Sequence, residues 1–233
     1  SPRLEAFRQL FFQKLTRYEY RGVLGQGGMG VVFEAYDRDL DTELASAPGV
    51  GGRHPLPTTE SFEAAMRRAG VREDRRVVVY DDWTGLAAGR AWWLLRFHGH
   101  HDTVVLDGGW SAWVADGGEV ERGVNINDIP GDFTARPGQL PVVEADRVLD
   151  VPVLVDARAP ERYRGETEPL DPVAGHIPGA VNVPTTSNLD DAGRFRGPDE
   201  IRAVYEAAGV PTDGSQEVAV YCGSGVTAVH DIL

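Results

Sequence analysis

The 233-residue chain holds one cysteine, Cys222, and one lysine, Lys14. A lone cysteine excludes an intramolecular disulfide, and it suits a reducing compartment. With no second thiol and no histidine near it in a ligand pattern, a metal site there is excluded too. No apolar stretch approaches the roughly 20 residues that a membrane-spanning helix needs. Residues 1–15 are mildly amphipathic and lack both the apolar core and the small-residue cleavage site of a signal peptide, so a cytoplasmic protein with no membrane partner is expected. Basic residues are also in deficit, 23 against 36 acidic, for a formal net charge of −13. A surface this acidic repels nucleic acid and anionic lipid at long range, so no nucleic-acid partner is expected. A small anionic substrate is not excluded, because loop amides or a single arginine supply local positive potential. What remains, 42% hydrophobic and 25% charged residues, is the composition of a globular chain with one large domain or two ordinary ones. The start without Met and the abrupt end at Asp231-Ile232-Leu233 are those expected of a fragment.

The most informative feature present is an internal repeat. Residues 61–83 read SFEAAMRRAGVREDRRVVVYDDW and residues 200–224 read EIRAVYEAAGVPTDGSQEVAVYCGS. Each copy predicts an amphipathic helix, a polar turn and a short apolar strand ending in tyrosine. Phe62, Ala65, Met66 and Ala69 form the apolar stripe of the first helix, and Ile201, Val204, Tyr205 and Ala208 that of the second. Gly70 and Gly209 fall where a residue with positive φ ends a helix. Val77–Tyr80 and Val218–Tyr221 are apolar at nearly every position, as expected of strands buried on both faces. Helix then buried strand, twice, predicts two α/β units with parallel sheets. Between the copies the pattern predicts a helix over Leu86–Phe97, a strand at Thr103–Leu106 and a helix starting at Gly108-Gly109-Trp110. The stretch Gly117–Pro141, rich in Gly, Pro and Asp, reads as a linker, and Val151–Val155 as the first strand of the second unit.

Cys222 follows a predicted strand, in Tyr221-Cys222-Gly223-Ser224-Gly225-Val226-Thr227-Ala228. Ligands of open α/β sheets bind at the C-terminal ends of strands. A glycine-rich stretch there can curl so that its N–H groups point inward and favour thiolate over thiol. The alternative is a small buried hydrophobe. In the first copy Asp81, in Tyr80-Asp81-Asp82-Trp83, takes the place of Cys222, and a carboxylate cannot replace a thiolate nucleophile. One copy is therefore reactive and the other is not.

Leu154-Val155-Asp156-Ala157-Arg158, Glu161-Arg162-Tyr163, Gly175-His176-Ile177-Pro178-Gly179-Ala180-Val181-Asn182 and, in the first unit, Leu106-Asp107-Gly108-Gly109-Trp110 closely resemble the tandem rhodanese-type sulfurtransferases. The resemblance spans roughly residues 38–233. It implies two rhodanese-like domains, each a mainly parallel sheet flanked by helices, the first without its opening segment and the second without its C-terminal end. By this resemblance Cys222 carries sulfur as a persulfide inside the loop Gly223, Ser224, Gly225, Val226, Thr227. Arg162 stands where the family binds its anionic donor, the other possibility being a local pair with Glu161 or Glu166. Asp156, Arg158 and His176 read as fold-supporting contacts. The Cys-Gly-Ser-Gly loop is similar to that of the mercaptopyruvate-using branch, and Ser224, His54 and Asp41 match a Ser-His-Asp arrangement proposed there; the alternative is that Asp41 and His54 are ordinary loop residues. Leu170 stands near that branch's second carboxylate-binding arginine, a departure from its pattern. The implied partners are a small anionic sulfur donor, thiosulfate or 3-mercaptopyruvate, and cyanide or a thiol as acceptor, with no cofactor.

Leu24-Gly25-Gln26-Gly27-Gly28-Met29-Gly30-Val31-Val32-Phe33 is similar to the glycine-rich loop of bacterial Ser/Thr protein kinases. No lysine follows it and neither His-Arg-Asp nor Asp-Phe-Gly occurs, so phosphoryl transfer is excluded. The expected organisation is a kinase-like segment over 1–37 joined by fusion, an incomplete inactive rhodanese-like domain over 38–120, a linker over 121–142, and a catalytic rhodanese domain over 143–233. Two other functions compete. A non-catalytic rhodanese-like remnant or regulatory module shares every motif. A cysteine phosphatase needs an arginine to grip phosphate where this chain has Ala228, which argues against it.

Overall fold

A computed structural model describes residues 18–27, 30–37, 54–120 and 129–233. Two separate sheets organise the described residues. The first joins β1 (Tyr18–Gly27), β2 (Gly30–Asp37), β3 (Val77–Val79) and β4 (Thr103–Val105) in that order. β1 and β2 pair antiparallel, and β2–β3 and β3–β4 pair parallel. β2, which holds the end of the kinase-like stretch from Gly30 on, thus lies in register with Val77–Val79, the strand that precedes Asp81.

Helix α1 (Thr59–Arg68) begins where the Thr58 side chain accepts the Ser61 N–H at 3.2 Å. It carries Glu60 in its first turn and Arg67 and Arg68 in its last, the arrangement the helix dipole favours. It buries Phe62, whose ring stacks on His98 at 4.3 Å and meets Phe133 edge-on at 6.1 Å. Helix α2 (Leu86–Phe97) falls on the predicted residues and buries Trp93, Leu94 and Leu95. Helix α3 spans Gly109–Ala115. Gly70 and Gly209 adopt φ of +81° and +84°, as their places after the two repeated helices predict.

The second sheet runs β6 (Val181–Asn182), β5 (Val153–Asp156), β7 (Val218–Tyr221), all parallel. Helix α4 (Pro160–Tyr163) follows β5, and α5 (Pro198–Ala207) precedes β7. Pro198 opens α5, and Glu200 reaches back to accept the Gly197 N–H at 3.1 Å. Val155, Val183 and Val210 form this unit's core.

Two sequence expectations change. β7 is half-buried at all four positions instead of closed on both faces, because it lies at the edge of its three-stranded sheet. The stretch read as a linker contributes to the first core: Phe133 is fully buried, its N–H donates to the Val71 carbonyl at 3.2 Å, and Gly131 donates to Arg67 at 2.7 Å. One aromatic in a Gly/Pro/Asp-rich run is enough to dock it, although the run forms no helix or strand among its described residues.

The two units meet around the chain end. Val229, in the 3₁₀ turn Ala228–Ile232, packs into the first core. Asp107 accepts the Phe195 N–H at 2.8 Å, and Arg194 pairs with Asp116 at 2.6 Å. Among the described residues no helix is long and apolar enough to cross a membrane.

Candidate active site

β7 ends at Tyr221 and delivers Cys222 into a turn over residues 223–227. The Gly225 N–H donates to Sγ at 3.1 Å and the Ser224 N–H at 3.5 Å. Gly225 holds φ at +76°, which a side-chain-bearing residue adopts only under strain. Inward amides around a partly exposed sulfur stabilise an anion there, whether thiolate or persulfide. The Cys222 side chain therefore faces the loop amides rather than an apolar core.

The first unit holds the same device with its place filled. Asp81, directly after Tyr80, turns its carboxylate back into its own loop. Oδ1 accepts the N–H groups of Trp83 (2.8 Å) and Gly85 (2.9 Å), and Oδ2 that of Ala88 (2.8 Å). α2 has no side-chain cap of its own, since Gly85 stands at its N-cap, and Asp81 supplies one from four residues upstream. The Leu106-Asp107-Gly108-Gly109-Trp110 motif braces this loop. The Trp110 N–H donates to the Asp81 carbonyl at 2.8 Å, and any Cβ on Gly109 would collide with that carbonyl.

β5 ends in Asp156, fully buried, which accepts from the Arg158 N–H at 2.9 Å and from its Nη2 at 2.6 Å. Arg158 also donates to the Gly175 carbonyl at 2.6 Å, tying β5 to the Gly-His-Ile-Pro-Gly turn. His176 lies on that turn with its ring stacked 3.9 Å from Tyr163. These three residues make fold-supporting contacts, as expected. Burial, followed by the Asp156 interaction, pushes the Tyr221 hydroxyl above its ordinary range. It stays protonated at neutral pH, where it accepts the Ile177 N–H at 3.0 Å.

Arg162, on α4, pairs neither with Glu161 nor with Glu166. Its Nη2 lies 2.6 Å from Glu168 and 2.8 Å from Asp171. The Arg162 hydrogen bond, reinforced by the Asp171 N–H, holds the Glu168 carboxyl down at about 2. Leu170, between the two carboxylates in sequence, is exposed.

Arg90 on α2 is the residue the sequence reading missed. Its Nη1 donates to the Gly225 carbonyl at 3.3 Å and its Nη2 to the His54 carbonyl at 3.1 Å. This one guanidinium brings residue 54 beside the Cys222 loop. The signal was there: Arg90 precedes Trp93, Leu94 and Phe97 by three, four and seven residues, which puts a cation on the helix's buried face. Of the anticipated site residues, Ser224 and Gly225 touch the sulfur through their amides. Gly223, Val226 and Thr227 share its turn, and Asp41 lies outside the described residues.

The family model described as the Rhodanese-like domain matches residues 48–116 and 143–230. The chain belongs to the rhodanese family. Its relatives include the Mycobacterium tuberculosis protein named for thiosulfate sulfurtransferase activity, SseB, 43% identical over 206 residues (85% of this chain, 70% of that one). The Pseudomonas aeruginosa protein named for 3-mercaptopyruvate sulfurtransferase activity is 43% identical over 212 residues (88% and 72%). Among solved structures, the Escherichia coli 3-mercaptopyruvate enzyme SseA superimposes with a TM-score of 0.70 at 35% identity, covering 82% of this chain and 72% of its own. Like these rhodanese relatives, the chain is a sulfurtransferase, and the reading as a non-catalytic remnant is not favoured.

Proposed function

We propose that Cys222 is the sulfur carrier and that thiosulfate and 3-mercaptopyruvate are the donor class. The observation that carries this is the pair of loop amides directed at Sγ. The Cys222 thiolate attacks the sulfane sulfur. With thiosulfate, the S–S bond to the sulfonate breaks and sulfite leaves with the electron pair; with 3-mercaptopyruvate, the C–S bond breaks and the carbon fragment takes up a proton as pyruvate. Either way a persulfide anion remains in the amide cradle. Cyanide or a thiol then takes the terminal sulfur and Cys222 leaves as thiolate, closing two half-reactions.

Arg162 is the donor-binding cation in this reading, with Gly223, Gly225, Val226 and Thr227 lining the donor's path. Ser224, supported by His54 and Asp41, would polarise the carbonyl end of 3-mercaptopyruvate. Two relatives of equal identity bear different donor names, so steady-state kinetics with both donors side by side decides the preference. Donor treatment of the wild-type chain is expected to add the mass of one sulfur atom to the Cys222 peptide. Cys222→Ser is expected to lose both that adduct and all thiocyanate formation; turnover surviving in the serine variant would overturn the assignment.

A further inference from the structure

The 3₁₀ turn Ala228–Ile232 follows the Cys222 loop directly and is gripped from both units. Toward the first unit, Val229 enters the core, and a Cβ on Gly85 would lie 3.3 Å from the His230 ring. Toward the second, Asp231 Oδ1 accepts the Asn188 Nδ2 at 2.9 Å, and the Tyr205 hydroxyl donates to the Asp231 carbonyl at 3.5 Å. Two buried oxygens of that bonded pair, Asp231 Oδ2 and Asn188 Oδ1, have no partner. Thr185, the other polar side chain acting on Asp231, spends its hydroxyl proton on the Ala157 carbonyl at 3.2 Å. With Asp231 ionised, both orphaned oxygens are acceptors without a donor, which burial makes costly. One proton on Oδ2 removes the conflict, because it neutralises the carboxyl and turns one orphan into a donor. Acid and amide then match: the amide N–H serves one carboxyl oxygen, and the acid O–H is there for the amide oxygen.

We propose that Asp231 and Asn188 form a proton-dependent latch on the downstream end of the Cys222 loop, closed by a neutral Asp231 carboxyl and loosened when it ionises. The surrounding groups leave the proton on Asp231. Burial raises its carboxyl to about 7, with the Thr185 and Asn188 hydrogen bonds opposing. Tyr205, held above its ordinary range by burial and then by the Asp231 charge, is a neutral donor. Residues Thr185–Asn188 carry no charge. On the other side of the turn, burial lowers His230 and keeps it neutral, with the Asp81 carboxylate opposing. α2 packs on the turn and carries Arg90 beside Gly89, but that guanidinium is directed at the Gly225 carbonyl. β7 brings Tyr221, also protonated. The native carboxyl titrates above the unfolded one, so the latch contributes fully below about 3.8 and is lost as pH rises through about 7. It is independent of what Cys222 carries.

The experiment compares the full chain with Asp231→Asn, whose amide N–H takes the place of the acid O–H at every pH. Between about pH 5.5 and about pH 8.5 the Tm of the variant is expected to gain about 4 °C on that of wild type, because only wild type loses the latch. His230 titrates in both chains and cancels in the comparison. The variant-to-wild-type ratio of thiocyanate formation should rise over the same interval, with the titration of the thiol itself cancelling. In wild type isotope-labelled at the aspartate carboxyl carbons, NMR should show one carboxyl titrating near 7. A constant Tm gap refutes the ionising latch, and a flat activity ratio refutes its hold on the Cys222 loop. Should Asp231→Asn not fold, the wild-type titration decides alone: no aspartate titrating above about 5.5 refutes the protonated pair.

Discussion

Asp81 offers the sharpest test of how the inactive copy supports the active one. Replacing it with alanine removes the acceptor for three N–H groups, those of Trp83, Gly85 and Ala88. The first two are partly exposed and can turn to water; the Ala88 N–H is buried. Losing a helix cap costs about 1 kcal/mol, and orphaning one buried donor adds about 2 kcal/mol. A total of about 3 kcal/mol in a chain of this length lowers Tm by about 6–12 °C. Asp81→Asn keeps one acceptor oxygen but turns an NH₂ toward a donor, so about half of that loss is expected. Thermal unfolding followed by circular dichroism reads both variants, with Asp82→Ala as the neighbouring control. The functional consequence follows from geometry, since a frayed α2 start loosens Arg90 one turn further on. Persulfide formation should therefore slow in Asp81→Ala at temperatures where the chain remains folded. A Tm within about 1 °C of wild type would refute the idea that this carboxylate holds the loop and the helix together.

Other perturbations separate the remaining contacts. Arg158→Met strands the fully buried Asp156 carboxylate and is expected to cost about 3–5 kcal/mol in chemical denaturation; Asp156→Leu combined with it should recover part of that loss. Phe133→Ala should cost about 3–5 kcal/mol although it lies outside any helix or strand, because its ring completes the first core. Glu168, held at about 2 against an ordinary 4.5, has a lowered native value, so its contribution is fully present above 4.5 and is lost as pH falls through about 2. Acid titration of Glu168→Gln should lack that part of the stability loss; an unchanged acid profile would dissociate Glu168 from Arg162.

Much of the architecture was legible because local signals agreed. Leu86–Phe97 carries helical periodicity between a glycine and a turn, and it folded on those residues. Gly70 and Gly209 marked helix ends through a backbone requirement that few other residues meet. Less was legible wherever the answer depends on what lies across space. Four consecutive apolar residues, Val218–Tyr221, predict a strand, but whether both faces are covered depends on its place in the sheet, which residue pattern does not encode. Phe133 sat in a composition typical of linkers, and only its packing against Phe62 and His100 explains its burial. The alternative for Arg162, a local pair, named Glu161 and Glu166 because they are near in sequence, whereas the turn after α4 brings Glu168 and Asp171 to it.

Arg90 and Asp81 show why a degenerate domain remains useful to a catalytic one. Both loops follow a tyrosine at or just past the end of a strand, and both gather backbone N–H groups around a single side chain. With a carboxylate in the cradle, the N–H groups of Trp83, Gly85 and Ala88 are satisfied internally, and the free energy goes into fixing a helix start. With a thiol there, the donors meet a group whose charge and bonding change during transfer, so the cradle must be held in shape from outside. Arg90 spans the two, rooted in the helix that the filled cradle caps and reaching the carbonyl behind the open one. An aspartate in the first loop and a cysteine in the second are thus complementary answers to one backbone geometry, and exchanging either should disturb both.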